Sequence, residues 1–369
     1  MNFKILKSVD SLGKAFIDSR STDPHCTYDW FKTMESVMKQ DLYYVAVYCG
    51  ENPVAVTPCF VDLKDVYFGN APKITPLLKR MLVVANLFNL CNRYVLLCHS
   101  PAGCWRSKIL FDENYDERLI MSKISEGIDY ICKNKRITIS SFLCVSASET
   151  NLMDSLNDFG YWKFFWRNTY SIKIQWKTFD EYLMSLNRQT RENIRRELRK
   201  SDENGVKIEV VSEFGHLSDA LSNLYSNLFM KYNGKRASYY DASFFENLSK
   251  HAGDRVILFL ATKKGKIVGF ALCMRQNENL EGFKCGFDYS ARSKNDFVYF
   301  NLAYYTPIKW AIENGIKEVY FGTGMERIKS KRGCKSYETF SFVKCHVGIL
   351  DSLVRFYSMV PLSLKRKLA

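Results

Sequence analysis

The segment GTGMERIKSKRG, residues 322 to 333, sets one acid and four basic side chains within the seven residues from Glu326 to Arg332, behind two glycines and the strand-like run Glu318-Val319-Tyr320-Phe321. Glycines followed by cations suit a phosphate-binding loop, a nucleic-acid patch or the floor of a catalytic site. The GxxxxGK[ST] pattern of a nucleoside-triphosphate loop is absent, and Gly322-Thr323-Gly324 precedes no obvious helix, which argues against the first reading. A second basic element, NRQTRENIRRELRK (187–200), spaces Arg188, Arg191, Arg195 and Arg199 so that four guanidinium groups share one helix face. Such a stripe can track phosphates. The alternative is a solvated helix stapled by Glu192 and Arg196, with Ile194 and Leu198 turned to the core. The helix offers no exposed aromatic for base stacking, which argues against sequence-specific single-strand readout.

Other chemistry is limited by what is missing. None of the five histidines sits in HxxxH or beside a cysteine pair, so metal ligation is not expected. The linear order leaves a Ser-His-Asp arrangement open, but there is no GxSxG elbow, and covalent serine catalysis is not expected. Twelve cysteines without a CxxC, behind a start that lacks a signal peptide, point to reduced thiols in a cytoplasmic protein. Tyr299, Phe300, Tyr304, Tyr305 and Trp310 crowd one helix-like stretch; Tyr304 and Tyr305 point to different sides, so at least one phenol needs a partner or a cavity.

These side chains need a scaffold, and 369 residues with 47% apolar and 15% aromatic content are enough for two cores. In the first half, helices are expected at 23–38, 116–135 and 149–164, the last ending near Gly160, a hairpin over 41–63 around Gly50-Glu51-Asn52-Pro53, and a buried strand at 136–146. In the second, one helix spans 178–204 and ends near Gly205. A strand at 206–211, two further helices and three strands (255–262, 266–275, 280–288) come next. A helix over 296–315 has Asp296 as its N-cap and a bend at Pro307. The strand KEVYFG, the charged loop and the strand YETFSFVKCHVGIL complete an α/β order. The apolar stretch MLVVANLFNLC (81–91), flanked by Lys79-Arg80 and Arg93, is too short to span a bilayer. It reads as a buried helix, with weak membrane-surface contact as the alternative. The net charge of +14 favours an anionic partner without choosing one.

Taken in order, SPAG (100–103), RNTYSIKIQWKTFDEYLMSLNRQTRENIRRELRKSDENGVKIEV, DRVILFLATKKGKIVGFALCM and FVYFNLAYYTPIKWAIENGIKEVYFGTGMERIKSKRG resemble the FemAB-like branch of the GNAT acyltransferases, in its peptidoglycan biosynthesis or recognition group. The resemblance implies tandem GNAT-like domains, each a mixed, mostly antiparallel sheet flanked by helices. These are expected over 1–170 and 171–369, with the active site in the second. The family's Gly, Glu, Lys and Arg-Gly pattern falls on Gly322, Glu326, Lys329, Arg332 and Gly333, with one extra residue in this loop. Where the group carries an acid in the helix and a His after the loop Glu, this chain carries Asn301 and Arg327.

The implied activity is transfer of an acyl or aminoacyl group to a small amine or amino-acid acceptor. The donor is acyl carrier protein, aminoacyl-tRNA or acyl-CoA. No tightly bound cofactor is expected, and phosphopantetheine enters only with the donor. The loop YSARSKND lacks the Gly-rich run that would cradle a pyrophosphate, which favours a macromolecular donor over free CoA. Such transfer needs a neutral amine, a polarised carbonyl and a protonated leaving group. Glu326 is the first candidate base and Asp288 the second. Lys329 and Arg332 are candidates for donor phosphate or the oxyanion, Tyr305 or Tyr304 for leaving-group protonation, and Asn301, Arg191 and Arg195 for substrate contacts. The alternative for Glu326 is a salt bridge to Arg327, Lys329 or Arg332. The alternative for the whole chain is a non-catalytic recognition module that binds a cell-wall precursor or an acidic partner.

Overall fold

The computed structural model describes residues 1–38, 41–62, 92–101, 109–234, 240–291, 293–348, 351–352 and 355. The 81–91 stretch and the second half of SPAG lie outside them. By contacts the described residues form two compact units, one from Met1–Ser21, His25–Asn168 and Tyr337–Ala369, the other from Thr22–Pro24 and Thr169–Ser336.

In the first unit the strands β1 (Asn2–Leu6), β2 (Leu42–Cys49), β3 (Asn52–Asp62), β4 (Asn92–Leu97), β5 (Leu110–Phe111), β6 (Ile137–Ser146) and part of β13 (Lys335–Cys345) form a mixed sheet in the order β1-β2-β3-β4-β6-β13, with β5 on β3. Pairing is antiparallel throughout, except that β4 and β6 run parallel. All ten residues of β6 are buried, as a strand covered on both faces requires. Helices α1 (Lys14–Arg20), α2 (Tyr28–Val37), α3 (Glu117–Lys135) and α4 (Thr150–Asp158) flank it. Asp116 caps α3 by accepting from the Leu119 amide, and Ile124 and Ile128 of that helix share one buried core with Val45, Leu96 and Phe142. The strand β13 groups with this unit from Tyr337 onward because it pairs with β6.

The second unit orders its strands β7-β12-β11-β10-β9-β8. They are β7 (Trp162–Lys173, from Thr169), β8 (Val206–Val211), β9 (Val256–Lys263), β10 (Lys266–Gln276), β11 (Asn279–Phe287) and β12 (Glu318–Thr323). Only β11 and β12 are parallel. Lys264 and Gly265, both at positive φ, make the two-residue turn between β9 and β10.

The single helix expected over 178–204 is two, α5 (Phe179–Ser185) and α6 (Arg188–Glu203). Asn187 breaks them apart, because its side chain accepts the Thr190 amide at 2.9 Å and starts a new helix. Helices α7 (Ser218–Asn233) and α8 (Ala242–Ala252) pack the opposite face. Asp296 does not cap a long helix. It is buried, bonded to Lys263 at 2.8 and 2.9 Å and to Ser293, in a 3-10 turn that precedes the helix. The helix itself runs as α9 (Val298–Phe300), a π turn over Asn301–Tyr305 and α10 (Thr306–Glu313). The expected bend at Pro307 is taken up one turn earlier, since a prolyl ring crowds the carbonyl four residues back. A short helix, α11 (Glu326–Lys331), comes after Gly324, where none was expected.

Candidate active site

The parallel pair β11/β12 holds together for three residue pairs only, Asn279 with Glu318, Leu280 with Val319 and Glu281 with Tyr320. Strand β11 then runs on to Phe287 against β10, and β12 to Thr323 against β7. From Gly282 to Phe287 the β12-facing edge of β11 therefore has no strand partner among the described residues. The charged loop starts where the two strands part. Gly322 and Gly324 lie at φ +64° and +74°, and Met325 at +55°, so the chain leaves β12 through left-handed positions that glycine adopts without strain.

Lys329 holds that turn in place. It is 3% exposed, and its Nζ donates to the carbonyls of Phe321, Gly322 and Thr323 at 2.7, 2.9 and 2.8 Å. Burial pulls its pKa down to about 8, yet three acceptors use all three protons of the ammonium form. The side chain expected to meet donor phosphate thus points at its own backbone.

Arg332, 7% exposed, lies against the rings of Phe300, Tyr304 and Tyr305 at 4.5, 5.3 and 5.2 Å. It donates to Tyr305 at 2.5 Å and to Glu197 at 3.4 Å, while the Tyr305 phenol donates to Glu197. Burial pushes the Tyr305 phenol well up. Its proton is committed to Glu197, a residue the sequence reading did not single out. The only signal was an acid on the inward side of the arginine helix. Tyr304 is buried with its hydroxyl 3.4 Å from that of Tyr299, and burial pushes its pKa up too. The two tyrosines do take different partners. Asn301, in the π turn, is 3% exposed, and its amide nitrogen has no partner among the described residues.

Of the two candidate bases, Asp288 is bound by the Ser290 hydroxyl and amide at 2.6 and 2.8 Å and by the Ala291 amide at 3.1 Å. These bonds, the Ser290 hydroxyl foremost, hold its carboxyl below the usual range. Glu326, the first residue of α11, is exposed and forms no ion pair among the described residues, so the alternative reading, a salt bridge to Arg327, Lys329 or Arg332, is not seen there. The arginine stripe is also quieter than its spacing suggests. Arg188 bonds Glu192 at 2.8 Å, in place of a Glu192–Arg196 staple. Arg195 lies 3.7 Å from Asp180 and Arg199 3.6 Å from Glu203, and Arg191 reaches the carbonyls of Met184 and Leu186.

A Ser-His-Asp chain does occur, in the first unit. Ser140 Oγ is 2.9 Å from His346 Nε2, and His346 Nδ1 is 3.5 Å from Asp129, which also takes Lys344 at 2.9 Å. Ser140 is fully buried within β6 and shares its hydroxyl with Tyr161, and burial lowers the His346 pKa to about 4. A serine closed in on both faces of a sheet has no path to an acyl carbon, so the chain is structural.

The profile of the FemAB-like family, described as peptidoglycan biosynthesis/recognition, matches residues 95–360. The chain belongs to the FemAB-like family. No curated protein matches the sequence. Among solved structures, FemX is 14% identical, with 95% of this chain and 100% of that one covered at a TM-score of 0.62. L-PGS from Bacillus licheniformis is 11% identical, covering 95% and 96%, at 0.57. A tandem GNAT protein from the clavulanic acid biosynthesis pathway is 10% identical, covering 93% and 98%, at 0.52. At these identities the likeness establishes the fold, the GNAT-like α/β architecture expected from the sequence. Among the described residues no helix is long and apolar enough to cross a membrane.

Proposed function

We propose that the chain transfers an acyl or aminoacyl group from a carrier to an amine, in the cleft where β11 and β12 part. The observation that carries this reading is the unpartnered edge of β11 from Gly282 to Phe287, which begins beside the glycine turn at the end of β12. An extended, amide-bearing donor arm can add to such an edge as an extra strand, gaining main-chain hydrogen bonds. Acyl carrier protein, aminoacyl-tRNA and CoA all end in an arm or aminoacyl ester that would present its carbonyl there. The family's link to peptidoglycan biosynthesis, and a neighbour named as a putative lysylphosphatidylglycerol synthetase domain from Agrobacterium fabrum, support an aminoacyl version and a carrier larger than free CoA.

The acceptor amine attacks the carbonyl directly, with no enzyme nucleophile. Glu326, exposed and without an ion-pair partner among the described residues, takes the ammonium proton; Asp288, whose Oδ1 already accepts three hydrogen bonds, is the poorer base. Lys329 and Arg332 act one step back. The first fixes the turn that carries Glu326, and the second orders Tyr305, Glu197 and the π turn. The test is transfer of a labelled acyl or aminoacyl group from each of the three donor classes to amine acceptors, by wild type and Glu326→Gln. The expected loss is about a hundredfold. A variant that keeps the wild-type rate would remove Glu326 from the mechanism, and no transfer from any donor class would remove the reading.

One observation favours a second reading. Lys329, Arg332, Tyr304 and Tyr305 are all buried and bonded to groups of the fold itself, and Asn301 and Arg327 replace the family's acid and histidine. A recognition module with this fold would bind a cell-wall precursor or acidic partner without turnover, and native mass spectrometry of the protein as isolated would show that partner in place of a donor.

A further inference from the structure

The stretch of β11 that has lost β12 carries an amine that no group among the described residues neutralises. Lys284 is half-buried, and among the described residues it has no hydrogen-bond acceptor and no carboxylate at ion-pair distance. Its Nζ lies instead 4.4 Å from the centre of the Tyr240 ring and 4.6 Å from that of Phe283. Neighbours along a regular strand face opposite ways. Phe283 and Lys284 touch because the register against β10 slips there, Cys273 opposing Gly282 and Leu272 opposing Lys284, and a bulge re-aims side chains.

The aromatic bracket takes water from the amine and returns only a weak cation–π attraction. Burial accordingly pulls its pKa to about 8, against the opposing pull of Cys285 and Glu281 on the same strand. Near neutral pH an appreciable share of such an amine is the free base, against roughly one part in a thousand for an ordinary lysine. Lys329 is lowered to the same value but has its protons on three carbonyls and is shut off from solvent. Geometry, not basicity, separates the two.

We infer that Lys284 is a nucleophilic lysine and a site of self-acylation, at which an activated acyl group lying along the open edge of β11 is captured as an amide. The Nζ lone pair forms an N–C bond to the acyl carbon. The C–S bond of a thioester, or the C–O bond of an ester, breaks, and the thiol or alcohol leaves with the proton lost from nitrogen. The product is stable and cannot pass the acyl group on. It removes a positive charge and fills the cleft, so the modification limits the protein's own transfer activity. The physiological acyl source rests on the transfer reading above; the reactivity of the amine does not.

The test treats the full-length native protein with limiting N-hydroxysuccinimidyl acetate at pH 7.5, followed by peptide mapping. Lys284 is expected to acetylate at least about tenfold faster than the exposed, ion-paired Lys309 and Lys317, as a desolvated nucleophile should. Lys329 is expected to stay unlabelled. Lys284→Arg should lose that label while keeping the wild-type melting temperature. Labelling of Lys284 no faster than that of Lys309 and Lys317, or only after unfolding, overturns the inference. Acetyl-CoA is run beside the ester: absence of thioester labelling bears on the donor reading alone, whereas the ester result decides the nucleophile.

Discussion

Among the described residues the two units each contain one parallel strand pair, and the pairs differ. In the first, β4 stays paired with β6 up to its own last residue, Leu97 with Ser141, the Cys98 amide still donates to the Ser141 carbonyl at 2.8 Å, and the five residues by which β6 runs on, Phe142 to Ser146, are all buried. In the second, β11 runs six residues beyond its last partner on β12. Parallel strands are joined by a crossover, so nothing in their connection forces them to separate at one point. The difference lies in the chain just past the strands. Strand β12 leaves through Gly322, Gly324 and a left-handed Met325, and Lys329 fastens that turn away from β11 with three hydrogen bonds. The overhang of β6 is wholly buried; that of β11, from Gly282 to Phe287, mixes buried and half-buried residues and is the edge on which the proposed donor would lie.

The strongest challenge to the open pair is steric. A Cβ on Gly286 would lie 2.5 Å from the α7 backbone at Leu224 and Tyr225, neither of which can turn aside as a side chain can. Gly286→Val is expected to cost about 4 kcal/mol or more, read as a lower urea midpoint, because α7 must leave β11. A variant of unchanged stability would show that the helix does not rest on this edge.

Next comes the brace. Lys329→Met removes three buried donors and leaves their carbonyls unpaired, with an expected loss of about 3 kcal/mol and a faster amide exchange at residues 321–324. Unchanged exchange there would mean the turn holds its shape without the lysine.

The closed pair should show an acid weakness that the cleft does not need. The His346 pKa is about 4 in the fold against 6.5 unperturbed, so its neutral form is favoured when folded. Its contribution is complete above pH 6.5 and is lost as pH falls from there to 4, at most roughly 3 kcal/mol. Denaturation across that range should slope in wild type and flatten in His346→Gln; equal slopes would assign the acid loss elsewhere. The smallest effect is expected at Gly127 on α3, where a Cβ would overlap the Val45 side chain. Gly127→Ala gains helix propensity while displacing a methyl group, for a net cost of about 1 kcal/mol. A loss as large as that at Gly286 would erase the contrast between the two sheets.

Much of the scaffold was legible because it rests on local rules. The hairpin turns at Gly50 and Gly265, the capped α3 and the buried run of β6 come from glycine at positive φ, an acid before an apolar face and an uninterrupted apolar strand. The break at Asn187, the helix after Gly324 and the π turn before Pro307 were not legible, since each depends on one side chain or a few residues whose alternative fits the same pattern. Strand β7 is equally hidden, because aromatic residues at 162–170 suit a helix end as well as a strand.

By itself the sequence determined the class of fold, the family pattern on Gly322, Glu326, Lys329, Arg332 and Gly333, and which chemistries lack their residues. Only the tertiary structure decided which charges face outward. Spacing along a chain places Lys329, Arg332 and Glu326 within seven residues but does not say which will find acceptors. Three carbonyls claimed Lys329, and a phenol and Glu197 claimed Arg332; among the described residues no group reached Glu326. A buried cation must be paired while an exposed carboxylate need not be, and that asymmetry turned a loop of apparently equivalent charges into a brace, a buried anchor and one free acid.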